Sequence, residues 1–222
     1  MVRWRLWRLA RRNRTLELLV QERTQELEVS RQQLEQQSLT DHLTGLRNRR
    51  YLNLCIDEDI AQVNRAYQVL NTKDINRALL NIDIIFMMVD IDYFKLVNDE
   101  FGHAAGDLVL TDTTKILKEA VRETDTIIRW GGEEFLVVLP DSSQESMLSV
   151  AQKILQGIRQ LQMPAEWTRN LTASIGCYLC LEPEAIDDSI RKADLAMYQA
   201  KAQGRNQLAI YEPAMEKTRV VL

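Results

Sequence analysis

The sequence predicts an α/β or α+β fold: a sheet with an antiparallel element, covered by helices and preceded by one long helix. Apolar strand-like runs alternate with helical runs after residue 38, two of the strand-like runs flank a Gly-Gly dipeptide, and residues 1–37 contain no Gly or Pro. Alternating strands and helices are typical of a sheet packed under helices, and a Gly-Gly dipeptide between two strands is typical of a β-hairpin. The composition, 45% hydrophobic and 27% charged, is that of a globular protein.

Residues 1–37 form the first predicted element, a helix whose apolar residues follow a heptad. Leu or Val occupies six of the ten core positions, which are residues 6, 13, 20, 27 and 34 in one series and 9, 16, 23, 30 and 37 in the other. A helix with so narrow an apolar stripe buries little by itself. We therefore expect a dimeric, parallel coiled coil, a register that Asn13 at a core position favours. The alternative is a solvated helix packed on its own domain.

The remaining elements follow along the chain. A turn is predicted at residues 40–46, which break the heptads and contain Gly45. Helices are predicted over residues 49–70, 106–121, 143–161 and 186–202, and strands over residues 84–91, 126–130, 135–139, 172–179 and 207–211. Cys177 and Cys180 have C-x-x-C spacing, but a strand points residues i and i+3 to opposite faces. We therefore expect two small buried side chains there rather than a metal site.

The charge is unevenly distributed along the chain. The net charge is −4, yet residues 1–14 hold six Arg and no acid, so the rest of the chain carries −10. We expect no nucleic-acid partner, because so acidic a body lacks the basic surface that non-specific binding requires. Three Cys exclude a disulfide framework and favour a reducing compartment, so we expect a cytoplasmic location. The Arg run resembles the cytoplasmic flank of a membrane segment, as in the output part of an inner-membrane receptor with an upstream sensor.

Two acidic clusters lie at the ends of predicted strands. Asp90 and Asp92 end one strand, and Glu133 and Glu134 follow the Gly-Gly dipeptide in the hairpin turn. Carboxylates in such places can hold hard cations such as Mg²⁺, and paired Mg²⁺ ions can clamp the oxygens of a phosphoryl or nucleotidyl transfer. The alternative is that acids in an exposed turn are simply solvated, and spacing alone does not decide between the two.

Five motifs in order extend over residues 39–212. They are D-H-L-T-G-L-R-N-R-R at 41–50, the run from Asp90 to Asp107 (D-I-D-Y-F-K, N-D, F-G-H and G-D), G-G-E-E-F at 131–135, S-I-G at 174–176 and A-D-L-A-M-Y-Q-A-K-A-Q-G-R-N at 193–206. In this order they resemble the motifs of GGDEF domains, the diguanylate cyclases, in the GGEEF form. The resemblance implies a nucleotidyl-cyclase-like fold: a central mixed, mainly antiparallel sheet flanked by helices.

The resemblance also implies a division of the chain. Residues 1–37 would be a coiled-coil stalk for dimerisation and signal transmission, 38–48 a linker turn, 39–212 the catalytic domain and 213–222 a C-terminal tail. The segment 66–80 is longer than the family usually has before its first catalytic strand, and the sequence assigns it no role.

The implied reaction condenses two GTP into cyclic di-GMP with release of two pyrophosphates. Each domain holds one GTP, so two domains must face each other in a homodimer, which the coiled coil would bring together. The implied cofactor is Mg²⁺ or Mn²⁺, two ions per GTP. Its ligands are Asp90, the backbone carbonyl of Ile91, Glu133 and Glu134. The three carboxylates are the catalytic residues, and Glu133 also promotes deprotonation of the attacking 3′-hydroxyl.

Substrate-binding roles are implied for further motif residues. Asn98 and Asp107 recognise guanine, whose donor and acceptor edges suit an amide and a carboxylate. The triphosphate is bound by Lys95, Lys201 and Arg205 and by the backbone N–H groups of Tyr93 and Phe94. Gly131 and Gly132 let a bulky phosphate approach closely.

Arg122 and Asp125 form an R-x-x-D motif shortly before Gly131. Many family members carry a product-inhibition site there, so the resemblance implies an inhibitory cyclic di-GMP site; the alternative is a plain ion pair.

Two other functions stay open: a catalytically silent effector that binds cyclic di-GMP through this motif, and a dimeric scaffold that has lost nucleotide binding. The intact motif residues favour the cyclase.

Overall fold

The structure is a computed structural model that describes residues 20–21, 23–25, 30, 39–52, 54, 84–164, 166–167, 169–180, 184–212 and 217–221. The chain divides into two compact units, Met1–Ser38 and Leu39–Leu222. In the first unit the described residues are helical, and Val20, a core position of the predicted coiled coil, is exposed in the single chain. Most heptad positions and the segment 66–80 lie outside the described residues, so the coiled coil stays a prediction.

Strands and helices alternate along the second unit. The strands are β1 (Arg47–Asn48), β2 (Ile84–Asp92), β3 (Thr126–Gly131), β4 (Glu134–Leu139), β5 (Thr172–Cys180), β6 (Leu208–Glu212) and β7 (Lys217–Val220). The helices are α1 (Phe94–Phe101), α2 (His103–Ala120), α3 (Gln144–Arg159) and α4 (Ile186–Ala202). Residues 49–52 and 54 are also helical, and the rest of the helix predicted over 49–70 lies outside the described residues.

The strands join into one mixed sheet in the order β1-β3-β4-β2-β5-β6-β7. The central β2 is antiparallel to both β4 and β5, and β3 and β4 form the predicted hairpin around the Gly-Gly dipeptide. β1 runs parallel to β3 and β5 parallel to β6, whereas β6 and β7 are antiparallel. The predicted fold class, a mixed and mainly antiparallel sheet flanked by helices, is confirmed.

Strand β2 separates two apolar cores because its side chains alternate between the faces of the sheet. Its odd-numbered apolar residues belong to the core under α2 and α3, whereas Phe86 and Met88 belong to the core under α4. Every residue of β2 is buried, as expected for a central strand covered on both faces. Asp90 and Asp92 continue the even-numbered series and therefore share a face with α4.

Helix α4 packs directly on β5 because a glycine lies at the crossing point. A Cβ at Gly176 would lie 2.0 Å from the backbone nitrogen of Met197 and 2.2 Å from the carbonyl oxygen of Ala193. A side chain would therefore push the helix away from the sheet. The S-I-G motif sets the height of α4 above the sheet, and with it the place of Lys201 in the last turn of the helix.

The structure differs from the sequence prediction at several elements. Strand β1 lies inside the predicted linker turn, and α3 ends at Arg159 instead of residue 161. Helix α1 was not predicted, although Phe94, Val97 and Phe101 have helical spacing, because eight residues are a shorter window than periodicity needs to distinguish a helix, and its N-cap Tyr93 makes no side-chain cap. Helix α2 begins at His103 instead of residue 106, and residues 217–220 of the predicted tail pair with β6. Cys177 and Cys180 are both buried, as predicted. None of the described helices is long and apolar enough to cross a membrane.

Candidate active site

The end of β2 meets the β3–β4 hairpin, and this meeting brings the two acidic clusters together. Asp90 is the register partner of Glu134 on β4, and the backbone N–H of Ile91 donates to the carbonyl oxygen of Glu133 at 3.4 Å. Gly132 adopts a φ of +37°, and the hairpin register shifts just before the turn. A residue with a side chain would be strained at that φ, so the glycine supports the turn that presents both glutamates.

Lys201 is a cation that pairs with one of these carboxylates, that of Asp90. Its Nζ lies 2.7 Å from Oδ2 of Asp90, and the two side chains are 29% and 6% exposed. The Coulomb attraction between two charges so sheltered from water is stronger than that between charges on the open surface. The pair joins the last turn of α4 to the end of the central strand.

Burial and crowding shift the protonation of the cluster. Burial raises the pKa of Asp90 to about 6; Lys201 opposes that rise, and the neighbouring Glu133 and Glu134 add to it. Burial also raises the pKa of Glu134, again with Lys201 opposing and with Asp194 and Glu133 adding to the rise. Like charges disfavour ionisation of one another. The cluster therefore holds more negative charge than Lys201 neutralises, and a divalent cation would balance it.

The donor set fits a divalent cation that arrives with a nucleotide. Within the described residues, no three His, Cys, Asp or Glu side chains form a metal site by themselves. Mg²⁺ in phosphate-binding sites usually takes one or two carboxylates and completes its shell with phosphate oxygens and water. Asp90 and the two glutamates, with the carbonyl of Ile91, can supply such a partial set.

Asn98 and Asp107 lie on adjoining helices. A Cβ at Gly106 would lie 2.0 Å from Oδ1 of Asn98, so the amide of Asn98 on α1 rests against the backbone of α2 one residue before Asp107. The connection is tight, because Gly102 has a φ of +79° and its N–H donates to the carbonyl of Asn98 at 2.9 Å. Asn98 is half-buried and Asp107 exposed. Together they can offer an amide and a carboxylate to the edge of a base.

Cationic side chains gather at Tyr93, where β2 turns into α1. The guanidinium of Arg205 lies 4.9 Å from the centroid of the Tyr93 ring, and that of Arg169 lies 5.7 Å from it. Phe94 begins α1, whose first N–H groups have no partners within the helix, and Lys95 is exposed on the same helix. Sequence reasoning missed Arg169 because its loop carries no motif.

Arg129 links two motifs that sequence reasoning treated separately. It donates to both carboxylate oxygens of Asp41 at 3.0 and 3.1 Å, and to the carbonyl of Gly132 at 3.2 and 2.9 Å. Asp41 also accepts from the N–H and hydroxyl of Thr44 at 2.9 and 2.6 Å. The 41–50 motif is thereby bonded to the G-G-E-E-F turn. No local signal could have shown this, because Asp41 and Arg129 are far apart in sequence.

A second candidate region, which we call the Arg122 cavity, has a volume of about 580 Å³ and is lined by residues that include Arg47, Lys118, Arg122 and Asp125. The backbone N–H of Arg122 donates to Oδ2 of Asp125 at 2.7 Å. The other carboxylate oxygen of Asp125, Oδ1, is buried without a hydrogen-bond partner. Burial raises the pKa of Asp125, against the opposing effect of Arg122. A buried acceptor without a donor is rare in native proteins, and a water, an ion or a ligand group can supply the missing partner.

Comparison with known proteins gives consistent matches. The sequence profile of the family described as "Diguanylate cyclase, GGDEF domain" matches residues 38–207. Diguanylate cyclase A of Treponema denticola is 31% identical over 191 residues, which are 85% of this chain and 48% of that protein. Response regulator PleD of Caulobacter vibrioides is 36% identical over 177 residues, which are 76% of this chain and 35% of that protein. The chain thus spans half or less of the length of these curated relatives.

A solved structure shares the fold over most of the chain. The coiled coil and GGDEF domain of DgcB from Caulobacter crescentus, in complex with c-di-GMP, superposes with a TM-score of 0.67 at 25% sequence identity. The match covers 88% of this chain and 98% of that one.

Proposed function

The chain belongs to the GGDEF family of diguanylate cyclase domains, and from that premise we propose that it condenses two GTP into cyclic di-GMP and two pyrophosphates. One observation carries the proposal. Asp90, Glu133 and Glu134 converge with Lys201 at the end of the central strand, inside the segment that matches the family. Carboxylates beside a phosphate-binding cation suit the transfer of a nucleotidyl group.

In each condensation the 3′-oxygen of one GTP attacks the α-phosphorus of the other. A P–O bond forms, the bond from the α-phosphorus to the bridging oxygen breaks, and pyrophosphate leaves. Glu133 promotes removal of the 3′-hydroxyl proton. Bound Mg²⁺ or Mn²⁺, two ions per GTP, would neutralise phosphate charge and would be held by Asp90, the carbonyl of Ile91, Glu133 and Glu134.

The other motif residues bind and orient the substrate. Asn98 and Asp107 bind the guanine edge, and Lys95, Lys201 and Arg205 bind the triphosphate together with the N–H groups of Tyr93 and Phe94. Gly131 and Gly132 keep the hairpin turn open to the phosphates. Lys201 already lies against Asp90. In the site with bound GTP, Lys201 and the incoming divalent cation would therefore both offset the negative charge of the carboxylates and phosphates.

The proposed reaction needs a homodimer, because each domain is proposed to hold one of the two GTP molecules. The heptads of residues 1–37 support a parallel stalk that holds two domains at high local concentration. The six Arg of residues 1–14 support a place on the cytoplasmic side of a membrane, below a sensor segment. A chain without residues 1–37 should lose turnover per mole at nanomolar protein, and equal turnover would contradict the role of the stalk.

The direct test is incubation of the purified chain with GTP and Mg²⁺, with cyclic di-GMP measured by chromatography. Glu133→Ala and Glu134→Ala should lose product formation, whereas Glu119→Gln, an exposed acid on α2, should retain it. Turnover that survives Asp90→Ala would contradict the metal site. Binding of cyclic di-GMP without synthesis would support the effector function instead, and absence of both would support the scaffold.

We further propose that the Arg122 cavity is a product-inhibition site. Cyclic di-GMP has two phosphodiester groups, which match the basic Arg47, Lys118 and Arg122. Its guanine N–H groups match the unpartnered Oδ1 of Asp125. Arg47 and Lys118 do not belong to the R-x-x-D motif, and only the tertiary structure brings them to this cavity. The measurement that tests the site is inhibition of turnover by added cyclic di-GMP.

A further inference from the structure

Asp92 is a buried carboxylate that the proposed reaction does not use. It is 2% exposed, and its oxygens accept hydrogen bonds from the hydroxyls of Thr172 and Ser174 at 2.7 Å each. A third hydrogen bond comes from the backbone N–H of Asn206 at 3.0 Å. This last contact joins the end of β2 to the turn that follows α4, which carries Arg205.

That turn has an unfavourable backbone conformation. The φ angles are +119° at Gly204, +64° at Arg205 and +52° at Asn206. Residues with a side chain are disfavoured in this region, and they persist there where surrounding contacts hold them. The conformation of Arg205 therefore depends on the bonds around it.

Those bonds hold the turn on both sides. From the sheet, Asp92 accepts the N–H of Asn206. From the surface, Arg159 on α3 donates to the side-chain oxygen of Asn206 at 2.7 Å and to its carbonyl oxygen at 3.1 Å. The N–H of Arg205 donates to the carbonyl of Ala200 at 3.0 Å. The backbone before and after the Arg205 side chain is thus bonded to fixed elements.

The side chain of Arg205 lies over the ring of the residue that follows Asp92. Its guanidinium is 4.9 Å from the centroid of Tyr93, which itself has a φ of +62°. Asp92 is therefore connected to Arg205 in two ways. It accepts a hydrogen bond from the turn that carries Arg205, and it directly precedes Tyr93, over whose ring the guanidinium lies.

We propose that Asp92 is a positioning residue for Arg205. It holds the 204–206 turn against the end of β2, so that the guanidinium stays over Tyr93 in a position to bind the triphosphate; the inference rests on the proposed GTP site. The two aspartates of β2 lie on the same face of the sheet and then have different roles. Asp90 pairs with Lys201, and Asp92 holds Arg205. An arginine held beforehand loses less freedom on binding.

The test is a double-mutant cycle on nucleotide affinity. The probe is a GTP analogue with a methylene group between the α- and β-phosphorus atoms, which cannot be condensed, titrated calorimetrically in Mg²⁺. Asp92→Ala and Arg205→Ala should each weaken its binding about tenfold. The double variant should bind within about twofold of Arg205→Ala, because Asp92 acts through Arg205. Additive losses, or unchanged affinity in a folded Asp92→Ala, would overturn the proposal.

Two further variants keep the test decisive if Asp92→Ala does not fold. Asp92→Asn retains an oxygen for the N–H of Asn206 and an amide for the Ser174 hydroxyl, so it should recover most of the affinity. Asp92→Ser keeps a buried hydroxyl but is too short to reach Asn206, so it should bind the analogue about tenfold more weakly. Equal affinity of the two variants would overturn the proposal.

The wild-type chain separates this inference from the proposed function. Wild type that neither binds the analogue nor makes cyclic di-GMP would contradict the proposed function itself. Wild type that does both, with Asp92 variants that bind equally well, would contradict the positioning role alone. A raised KM with a smaller change in kcat in Asp92→Ser would support the positioning role.

Discussion

The two candidate ligand regions of this chain carry opposite charge. At the end of β2, Asp90 pairs with Lys201 and lies close to two further carboxylates, those of Glu133 and Glu134. The Arg122 cavity is lined by three basic side chains, those of Arg47, Lys118 and Arg122, and by two carboxylates, those of Glu123 and Asp125. Both regions are proposed to bind guanine nucleotides, so the difference in charge needs a physical reason.

The reason is whether a metal accompanies the ligand. GTP is proposed to arrive with divalent cations, which require oxygen ligands, so the protein supplies carboxylates. Cyclic di-GMP brings phosphodiester charge without a required metal, so the protein supplies guanidinium and ammonium groups that pair with phosphate directly. The charge of each region thus follows from the chemistry of its ligand, and the two regions should respond differently to the same perturbations.

The largest expected difference comes from Asp90→Asn, which replaces a carboxylate by a neutral amide of the same shape. Turnover should fall on the order of 1000-fold, because metal binding at the phosphates is weakened. Binding of cyclic di-GMP to the Arg122 cavity, measured calorimetrically, should be unchanged. Asp112→Asn on the surface of α2 is the matched control and should retain turnover. Loss of cyclic di-GMP binding in Asp90→Asn would show that the regions are not independent.

Removal of divalent cations should separate the regions without a mutation. In EDTA, the affinity for the GTP analogue should fall on the order of 100-fold, because the carboxylates then repel the triphosphate. The affinity for cyclic di-GMP should stay the same. Both are read by calorimetry on wild type, with readdition of Mg²⁺ as the control. A comparable loss for both ligands would contradict the charge comparison.

Arg122→Ala changes the Arg122 cavity and leaves the carboxylates at the end of β2 intact. The concentration of cyclic di-GMP that halves turnover should rise about 30-fold, since a charge-assisted phosphate contact is lost. Initial turnover without added product should be unchanged. Arg191→Ala, an exposed arginine on α4, is the control. Unchanged inhibition in Arg122→Ala would remove the cavity as the inhibitory site.

The smallest effects are expected for the two cations that the tertiary structure adds to the cavity. Arg47→Ala and Lys118→Ala should each weaken inhibition about threefold, because contacts of exposed charges are partly screened by water. Lys115→Ala, exposed on the same helix as Lys118, serves as the matched control. Full inhibition in both variants would mean that the motif residues bind the product alone.

Much of the fold was predictable because local patterns encode it. The bounds of β2 to β6 lie within one residue of the predicted strands, since apolar runs and the Gly-Gly turn mark them directly. Helix α1 was not predictable in this way, because it is short and begins after a residue with positive φ. The motif order predicted which residue types belong to the site, but it did not predict Arg129 or Arg169.

The sequence by itself determined the types of β2 to β6 and of α2 to α4, the order of the motifs and the family. The tertiary structure decided which distant residues meet: Asp90 with Lys201, Arg129 with Asp41, and Asp92 with Asn206. The physical reason is that periodicity and turn chemistry act over a few residues, whereas these contacts depend on sheet register and helix packing. β2 is paired between β4 and β5, and Gly176 lets α4 approach the sheet. From those two features follow the cation beside Asp90 and the position of Arg205.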